Sequence, residues 1–160
     1  MPELKRILLA EDDPDDVELI LSALSEVNLA SEVLVAGDGS EALNYLLGRG
    51  GFAGRPAGNP VVVVLDLKMP KIGGLQVLRA MKSDPRLESV PVVVFTSSRE
   101  PRDVAECFKL GANAYVVKPV QFADFVDTVK KLGIFWALVN QPPPDKAAAS
   151  DGRNGSQHAC

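Results

Sequence analysis

The chain has 160 residues, 46% of them hydrophobic, which is enough for one globular domain with a substantial core. The net charge of −4 argues against a nucleic-acid surface, and no apolar run is long enough to cross a membrane or to form a signal peptide. The two cysteines, Cys107 and Cys160, and the one histidine, His158, lack zinc-ligand spacing, so we expect free thiols in the cytoplasm.

Strand-like and helix-like segments alternate along the chain. Short apolar runs predict strands over 7–10, 33–36, 61–66, 92–95 and 114–117. A helix with an apolar face follows each strand. Asp13 and Pro14 can begin the first helix, the fourth covers about 103–110, and the last covers about 122–139 with Gly133 as a weak point. This alternation predicts an α/β fold with a doubly wound, five-stranded parallel sheet and helices on both faces.

Two segments interrupt this pattern. Residues 48–60 are rich in Gly, Pro and Arg and predict a long surface loop. Residues 141–160 include a run of prolines and predict a disordered tail after one domain over residues 1–140. Because such a tail is too short for an output domain, we expect any signal to leave through protein contacts or onward phosphotransfer.

Asp66 ends the most apolar strand of the chain. Residues 61–65 read Val-Val-Val-Val-Leu, which is typical of a strand buried on both faces of a parallel sheet, and Pro70 stops the run soon afterwards. In the flavodoxin-like strand order, the first and third strands are neighbours, and ligands bind at the carboxyl ends of the strands. Asp66 should therefore lie beside Asp12, which follows the first strand.

Carboxylates that share one cleft repel each other. We expect Mg²⁺ to relieve this repulsion between Asp12 and Asp66, because oxygen ligands suit this ion. The rest of the acidic run after the first strand has an alternative explanation. Asp13, Asp15 and Asp16 can cap the following helix or compensate its dipole.

A hydroxyl and a lysine follow the last two strands. Thr96, with Ser97 and Ser98 after it, ends the fourth strand, and Lys118 comes directly after the fifth. A hydroxyl can donate to an anionic oxygen, and a lysine can act as a point charge on phosphate. Taken singly, these side chains are also explained by turn formation and by solvation. Their position at the same sheet edge as the carboxylates predicts a site for a transferred phosphoryl group.

These motifs, in this order and spacing, resemble the receiver domain of two-component response regulators over about residues 4–139. The matching pieces are Glu11-Asp12, Asp66-Leu67-Lys68-Met69-Pro70, Thr96-Ser97, Tyr115 and Lys118-Pro119. The resemblance implies the flavodoxin-like strand order 2-1-3-4-5. It also implies a phosphoacceptor protein that catalyses only its own phosphotransfer and dephosphorylation, rather than an enzyme acting on a separate substrate.

The resemblance also implies a role for each acidic residue of the site. Asp66 would accept a phosphoryl group from a histidine of a sensor kinase and form an aspartyl phosphate. Asp12, Asp66 and the main-chain carbonyl of Lys68 would bind Mg²⁺, with Glu11 acting mainly through water. The expected cofactor is therefore Mg²⁺ and the expected partner a sensor histidine kinase.

The remaining motif residues would read out the phosphorylated state. By resemblance, Thr96 and Lys118 would contact the phosphoryl oxygens, and the Lys118–Pro119 bond would be cis. Tyr115 would be the aromatic switch whose rotamer follows Thr96. The output would then be a shift between two packings of the face formed by helix four, strand five and helix five.

Three other functions fit the residues less well. An interaction module without phosphorylation would lack a site residue, and none is missing. A phosphatase of the haloacid dehalogenase type has a second Asp two positions after the first, where this chain has Lys68. A nucleotide-binding protein needs a Gly-rich loop after the first strand. The chain departs from the receiver pattern at Gly73, where many receivers have Asp or Asn before the glycine.

Helix five has a wider apolar face than a surface helix of a monomer needs. Leu132, Phe135, Trp136 and Val139 predict a homodimer or partner face, with packing of the last turn onto its own domain as the alternative. The aromatic end of this helix and the loop over 48–60 also resemble stand-alone regulators of phytochrome-type sensor kinases, which makes a bacterial phytochrome a candidate partner.

Overall fold

The computed structural model describes residues 5–144. The strands are β1 (Ile7–Ala10), β2 (Val33–Ala36), β3 (Val62–Leu65), β4 (Val92–Thr96) and β5 (Ala114–Val117). The helices are α1 (Pro14–Ser25), α2 (Gly39–Leu47), α3 (Gly74–Ser83), α4 (Pro101–Lys109) and α5 (Phe122–Gly133). All strand pairs are parallel, in the order β2-β1-β3-β4-β5. The predicted doubly wound, flavodoxin-like topology is confirmed.

The central strands are buried on both faces because successive side chains point to opposite sides of a sheet. Leu8, Val63 and Val94 belong to a core cluster with residues of α2, α3 and α4. Leu9 and Phe95 belong to the opposite cluster, with residues of α1 and α5. This two-sided burial is the reason that the strands read as unbroken apolar runs, and it leaves the strand ends as the place for polar side chains.

Capping residues set the beginning of the first helix as predicted. The Asp13 carboxylate accepts hydrogen bonds from the amides of Asp15 and Asp16, and Pro14 is the first helical residue. Helix α4 begins at Pro101, two residues before the predicted start at 103, because proline is well suited to a first helical turn.

The last helix changes its geometry at the predicted weak point. Helix α5 ends at Gly133, and the chain continues as a wider, π-helical turn over Ile134–Val139. A Cβ atom on Gly133 would lie 2.5 Å from Cδ2 of Leu24 in α1. Glycine therefore lets α5 cross α1 at close range, and the predicted continuous helix over 122–139 has two parts.

Arg55 ties the segment over residues 48–60 to α2. Its guanidinium lies 4.4 Å from the centroid of the Tyr45 ring and donates to the carbonyls of Tyr45 and Gly58, at 2.6 and 3.0 Å. These contacts hold the long loop against the domain by cation–π and hydrogen-bond interactions.

Within residues 5–144, every helix is too short or too polar to span a membrane. Of the predicted tail, residues 145–160 lie outside the described part of the chain, as do residues 1–4.

Candidate functional site

The carboxyl edge of the sheet brings the predicted site residues together. Glu11 and Asp12 follow β1, Asp66 follows β3, Thr96 ends β4 and Lys118 follows β5. Register explains the meeting of the first three, because Ala10 and Leu65, the last residues of β1 and β3, are paired. The amide of Asp66 also donates to the carbonyl of Ala10, at 3.1 Å.

Three carboxylates form a cluster that fits a divalent cation. Glu11, Asp12 and Asp66 each offer an oxygen within 4.8 Å of the others. Glu11 and Asp66 are buried, whereas Asp12 is exposed and keeps the cluster open to solvent. Hard oxygen donors of this kind, with room for retained water, suit Mg²⁺ or Mn²⁺. Lys68 lies in the loop two residues after Asp66, with its side chain exposed. The role of its main-chain carbonyl as a ligand stays a prediction.

Lys118 lies among the carboxylates as their cationic partner. Its Nζ donates to Glu11 at 2.7 Å, to Asp16 at 2.8 Å and to Asp66 at 2.9 Å. Burial by itself would lower the pKa of Lys118, but the hydrogen bonds to Asp16, Glu11 and Asp66 outweigh it, and the pKa is raised above its ordinary value. The ammonium is therefore charged at neutral pH and offsets part of the repulsion.

Glu11 takes up a proton more readily than an ordinary glutamate. Burial raises its pKa to about 7, although the hydrogen bond from Lys118 acts in the opposite direction. The negative charge of Asp66 adds to the increase. A cation bound at this cluster would therefore compete with a proton on Glu11 near neutral pH.

Thr96 and Tyr115 are linked through the loop that follows β4. The Thr96 side chain is buried, and its Oγ1 accepts from the Ser98 amide at 3.4 Å. The Tyr115 hydroxyl donates to the Ser98 carbonyl at 3.0 Å. Burial is the main reason that the pKa of Tyr115 is raised. A shift of the loop at Thr96 would thus change the hydrogen bond that holds the Tyr115 ring.

The expected cis geometry of the Lys118–Pro119 bond is wrong. All peptide bonds within residues 5–144 are trans in this structure. The trans isomer is the one that bonds to proline favour, by about 0.5–1 kcal/mol. Lys118 still reaches the carboxylates, and its amide donates to the Thr96 carbonyl at 2.7 Å.

Asp16 is a site residue whose position the sequence left open. Capping was one of its predicted roles, but Asp13 provides the cap, and the Asp16 carboxylate points to Lys118. No local signal indicated this role, because Asp16 lies in the first turn of α1 and its partner Lys118 is 102 residues away along the chain.

The departure at Gly73 leaves the start of α3 only partly capped. Glycine has no side chain to cap the helix, so the Gln76 Oε1 alone accepts from the Gly73 amide, at 3.0 Å. Gly74 lies against the strand end, where a Cβ atom would be 2.2 Å from the Asp66 carbonyl oxygen. Sequence reasoning missed this close approach of α3 to the main chain of Asp66.

The predicted partner face of α5 is divided between the core and the surface. Leu132 and Trp136 are partly buried and pack against the core cluster that faces α1 and α5. Phe135 and Val139 are 47% and 64% exposed, next to the exposed side chain of Leu138.

Two of the solved structures similar to this chain are response regulators of phytochromes. The phosphorylated cyanobacterial phytochrome response regulator RcpA is 36% identical, with a TM-score of 0.80, over 87% of this chain and 98% of that one. The bacteriophytochrome response regulator RtBRR is 53% identical, with a TM-score of 0.70, over 91% and 88% of the two chains.

Rcp1 of Synechocystis sp. (strain ATCC 27184 / PCC 6803 / Kazusa) is 33% identical over 132 residues, which are 82% of this chain and 88% of that protein. The structure of its Mn²⁺-bound form has a TM-score of 0.80 at 32% identity, over 87% of this chain and 99% of that one. The family model of the response regulator receiver domain matches residues 7–130. With its strand order and its acidic edge, this chain belongs to the response regulator receiver family.

Proposed function

We propose that this protein is a phosphoacceptor switch in which Asp66 receives a phosphoryl group from a histidine of a sensor kinase. The observation that carries the proposal is the buried ion pair of Lys118 and Asp66, at 2.9 Å, beside the cluster of Glu11, Asp12 and Asp66. A nucleophilic carboxylate, a cation site and a fixed ammonium are the groups that phosphoryl transfer to an anion requires.

Mg²⁺ is the proposed cofactor. Glu11, Asp12, Asp66 and the main-chain carbonyl of Lys68 are the groups proposed to hold it, with Glu11 acting mainly through water. The bound ion would supply positive charge that lowers the repulsion between the carboxylate and an incoming phosphoryl group. The similar protein Rcp1 has a Mn²⁺-bound form, which supports a divalent cation as the cofactor of this chain.

The chemical step uses one oxygen of Asp66 as the nucleophile. A new bond forms between this oxygen and phosphorus, while the phosphorus–nitrogen bond of the donor phosphohistidine breaks and its electron pair stays on the imidazole. Lys118 would then move its hydrogen bond from Asp66 to a phosphoryl oxygen, and the Thr96 hydroxyl would donate to another. No separate substrate is turned over, so we propose self-catalysed phosphotransfer and dephosphorylation only.

The proposed output runs from Thr96 through the Ser98 loop to Tyr115. If Thr96 moves toward a phosphoryl group, the loop that holds the Tyr115 hydroxyl moves with it. Tyr115 is in β5, which comes between α4 and α5 in chain order, and its side chain packs on the core cluster that includes Cys107 of α4. We therefore propose that the face formed by α4, β5 and α5 carries the signal to a partner protein, as a population shift between two packings.

Phosphorylation at Asp66 can be tested with a small phosphodonor. The protein is incubated with acetyl phosphate and Mg²⁺, and the label is followed by intact mass and by its stability in acid and base. We expect one acid-stable, base-labile phosphoryl group that is lost in Asp66→Asn and kept in Asp124→Asn, a change at an exposed Asp of α5. A label that persists in Asp66→Asn contradicts the proposal, and continuous hydrolysis of unrelated phosphate esters indicates a phosphatase.

A phytochrome-type histidine kinase is the proposed partner, in the cytoplasm and without nucleic-acid binding. The names of RcpA and RtBRR support this kinase class, and the 53% identity to RtBRR is its strongest support. The acidic net charge of −4 supports the absence of a nucleic-acid surface. The buried free thiol of Cys107 is consistent with a reducing compartment.

A homodimer through the end of α5 is proposed from its exposed apolar side chains. Phe135, Leu138 and Val139 lie together after Gly133, at 47%, 56% and 64% exposure. Leu132 and Trp136 are partly buried and pack on the core, and we propose that their exposed atoms also belong to this face. Exposed apolar side chains that are adjacent in this way are typical of an interface.

Oligomeric state tests this second proposal. We expect light scattering to give a dimer for the natural protein at high micromolar concentration, with or without a phosphoryl mimic. Phe135→Glu should shift it to the monomer, because a buried charge at the interface costs more than the contact contributes. Ala57→Glu, in the loop over 48–60, adds the same charge outside the face and should leave the dimer intact. A monomer for the natural protein under both conditions rules out the dimer.

A further inference from the structure

Asp16 completes the hydrogen bonding of the buried lysine at the site. An ammonium group has three N–H donors. In this structure Lys118 directs one to each of Glu11, Asp16 and Asp66, at 2.7, 2.8 and 2.9 Å. Asp16 thus lies as close to Lys118 as Glu11 and Asp66 do, which both belong to the receiver motif. Unlike them, Asp16 is in the first turn of α1.

Asp16 differs from the other two partners in its relation to the cation cluster. Glu11 and Asp66 belong to the group of carboxylates that can share an ion, and Asp16 does not. Its side chain is 26% exposed, whereas those of Glu11 and Asp66 are 2% and 10% exposed. Asp16 therefore contacts the lysine from the solvent side, without offering an oxygen to the ion.

We infer that Asp16 is a positioning residue, which balances the charge of Lys118 and holds its Nζ so that Glu11 and Asp66 stay available to a divalent cation. The inference deepens the proposed function and rests on it for the role of the cation. Without Asp16, the ammonium has only Glu11 and Asp66 as anionic partners in the site. It then competes more strongly for the oxygens that the cation needs, and it repels the cation more strongly.

The expected effect is a weaker cation site with an intact phosphoacceptor. In Asp16→Asn, we expect the Kd for Mg²⁺ to rise about three- to tenfold. This is less than the roughly 10- to 100-fold effect typical of residues that orient metal ligands, because Asp16 is partly exposed. Once Mg²⁺ saturates the site, phosphorylation by acetyl phosphate should reach a maximal rate within about twofold of the natural protein, since Asp66, Thr96 and Lys118 are all retained.

Asp15 provides a matched control. It is also in the first turn of α1, its amide also donates to Asp13, and its side chain is exposed. Asp15→Asn removes the same charge from the same helix end but leaves Lys118 with its three partners. A general loss of negative charge or of helix stabilisation would change the Kd for Mg²⁺ equally in both variants. The proposed role of Asp16 changes the Kd only in Asp16→Asn.

Calorimetric titration with Mg²⁺ is the decisive measurement, made on the full chain of the natural protein, Asp16→Asn, Asp16→Ser, Asp16→Glu and Asp15→Asn. We expect weaker binding in the first two variants, partial rescue in Asp16→Glu and a change below about twofold in Asp15→Asn. Thermal unfolding checks that each variant is folded. If Asp16→Asn does not fold, Asp16→Ser takes its place in the comparison. Equal affinities for Mg²⁺ in Asp16→Asn, Asp16→Ser and Asp15→Asn overturn the inference. An unchanged Kd for Mg²⁺ in Asp16→Asn together with a lowered maximal rate of phosphorylation also overturns it.

The titration also separates this inference from the proposed phosphorylation. If the natural protein binds Mg²⁺ but is not phosphorylated at Asp66, the proposed function fails while the affinities still decide the role of Asp16. If the natural protein binds no Mg²⁺, the inference about Asp16 fails, and the phosphodonor experiment remains to decide the function.

Discussion

Replacing Lys118 by methionine should slow the phosphorylation of Asp66 by about a hundredfold or more, measured with acetyl phosphate at saturating Mg²⁺. Methionine keeps much of the length and apolar stem of lysine but removes the ammonium that bonds Asp66 at 2.9 Å. That ammonium is positioned to offset charge on the transferred group in a buried site, where electrostatic interactions are stronger than in water.

The same substitution should make the protein more dependent on a divalent cation. Removing one partner of a buried ion pair costs about 3–5 kcal/mol, because the remaining charges are left uncompensated. Here those charges are on Glu11 and Asp66, with side chains only 2% and 10% exposed. Urea unfolding should therefore show that Mg²⁺ stabilises Lys118→Met by more than it stabilises the natural protein.

Lys130→Met is the matched control for both measurements. Lys130 bonds Glu26 at 3.0 Å, but both side chains are substantially exposed, so its loss should cost less than about 1 kcal/mol and leave phosphorylation unchanged. A rate for Lys118→Met close to that of Lys130→Met would show that the ammonium does not act on the phosphoryl group.

Gly39→Ala should destabilise the protein by about 3 kcal/mol and should also weaken Mg²⁺ binding. A Cβ atom at this position would lie 2.0 Å from the carbonyl oxygen of Ile72 and 2.8 Å from its carbonyl carbon. These are main-chain atoms, so the loop from Asp66 to α3 must move to make room. That loop contains Lys68, whose carbonyl is a predicted ligand of the cation.

Gly51→Ala is the control for this substitution, because no atom beyond the adjacent residues lies within 4 Å of the position that its Cβ would occupy. Urea unfolding should give a change of less than about 1 kcal/mol in this variant, with reduced entropy of the unfolded chain acting as a stabilising effect. If Gly39→Ala unfolds at the same urea concentration as Gly51→Ala, the loop adapts to the methyl group without cost and the proposed constraint is wrong.

Much of the fold and of the site followed from local patterns in the sequence. Buried β-branched runs that alternate with amphipathic segments allow few topologies other than a doubly wound parallel sheet. The same runs show where each strand ends, and parallel strands place those ends on one edge. Asp12 and Asp66 could be expected to meet for this reason, and the structure places them with Glu11 in one cluster.

Other features depend on how separate elements pack, and a local pattern does not report them. Asp16 has the same helix position whether it faces solvent or Lys118, and only the placement of β5 beside β4 puts the lysine within its reach. The expected cis isomer at Pro119 came from the resemblance and not from the residue pair, and the structure has the trans isomer that proline favours. The glycine at 133 marked a weak point in α5, but the close approach of Leu24 of α1 to that position was not readable from the sequence.

The sequence by itself therefore determined the sheet, its functional edge and the chemical types gathered there, because strand burial and chain direction are local properties. Only the tertiary structure decided which acidic residue holds the lysine and which glycines allow main-chain segments to meet. Gly39 and Asp16 make their contacts with Ile72 and Lys118, which lie far away along the chain, and such contacts exist only after the helices have docked on the sheet.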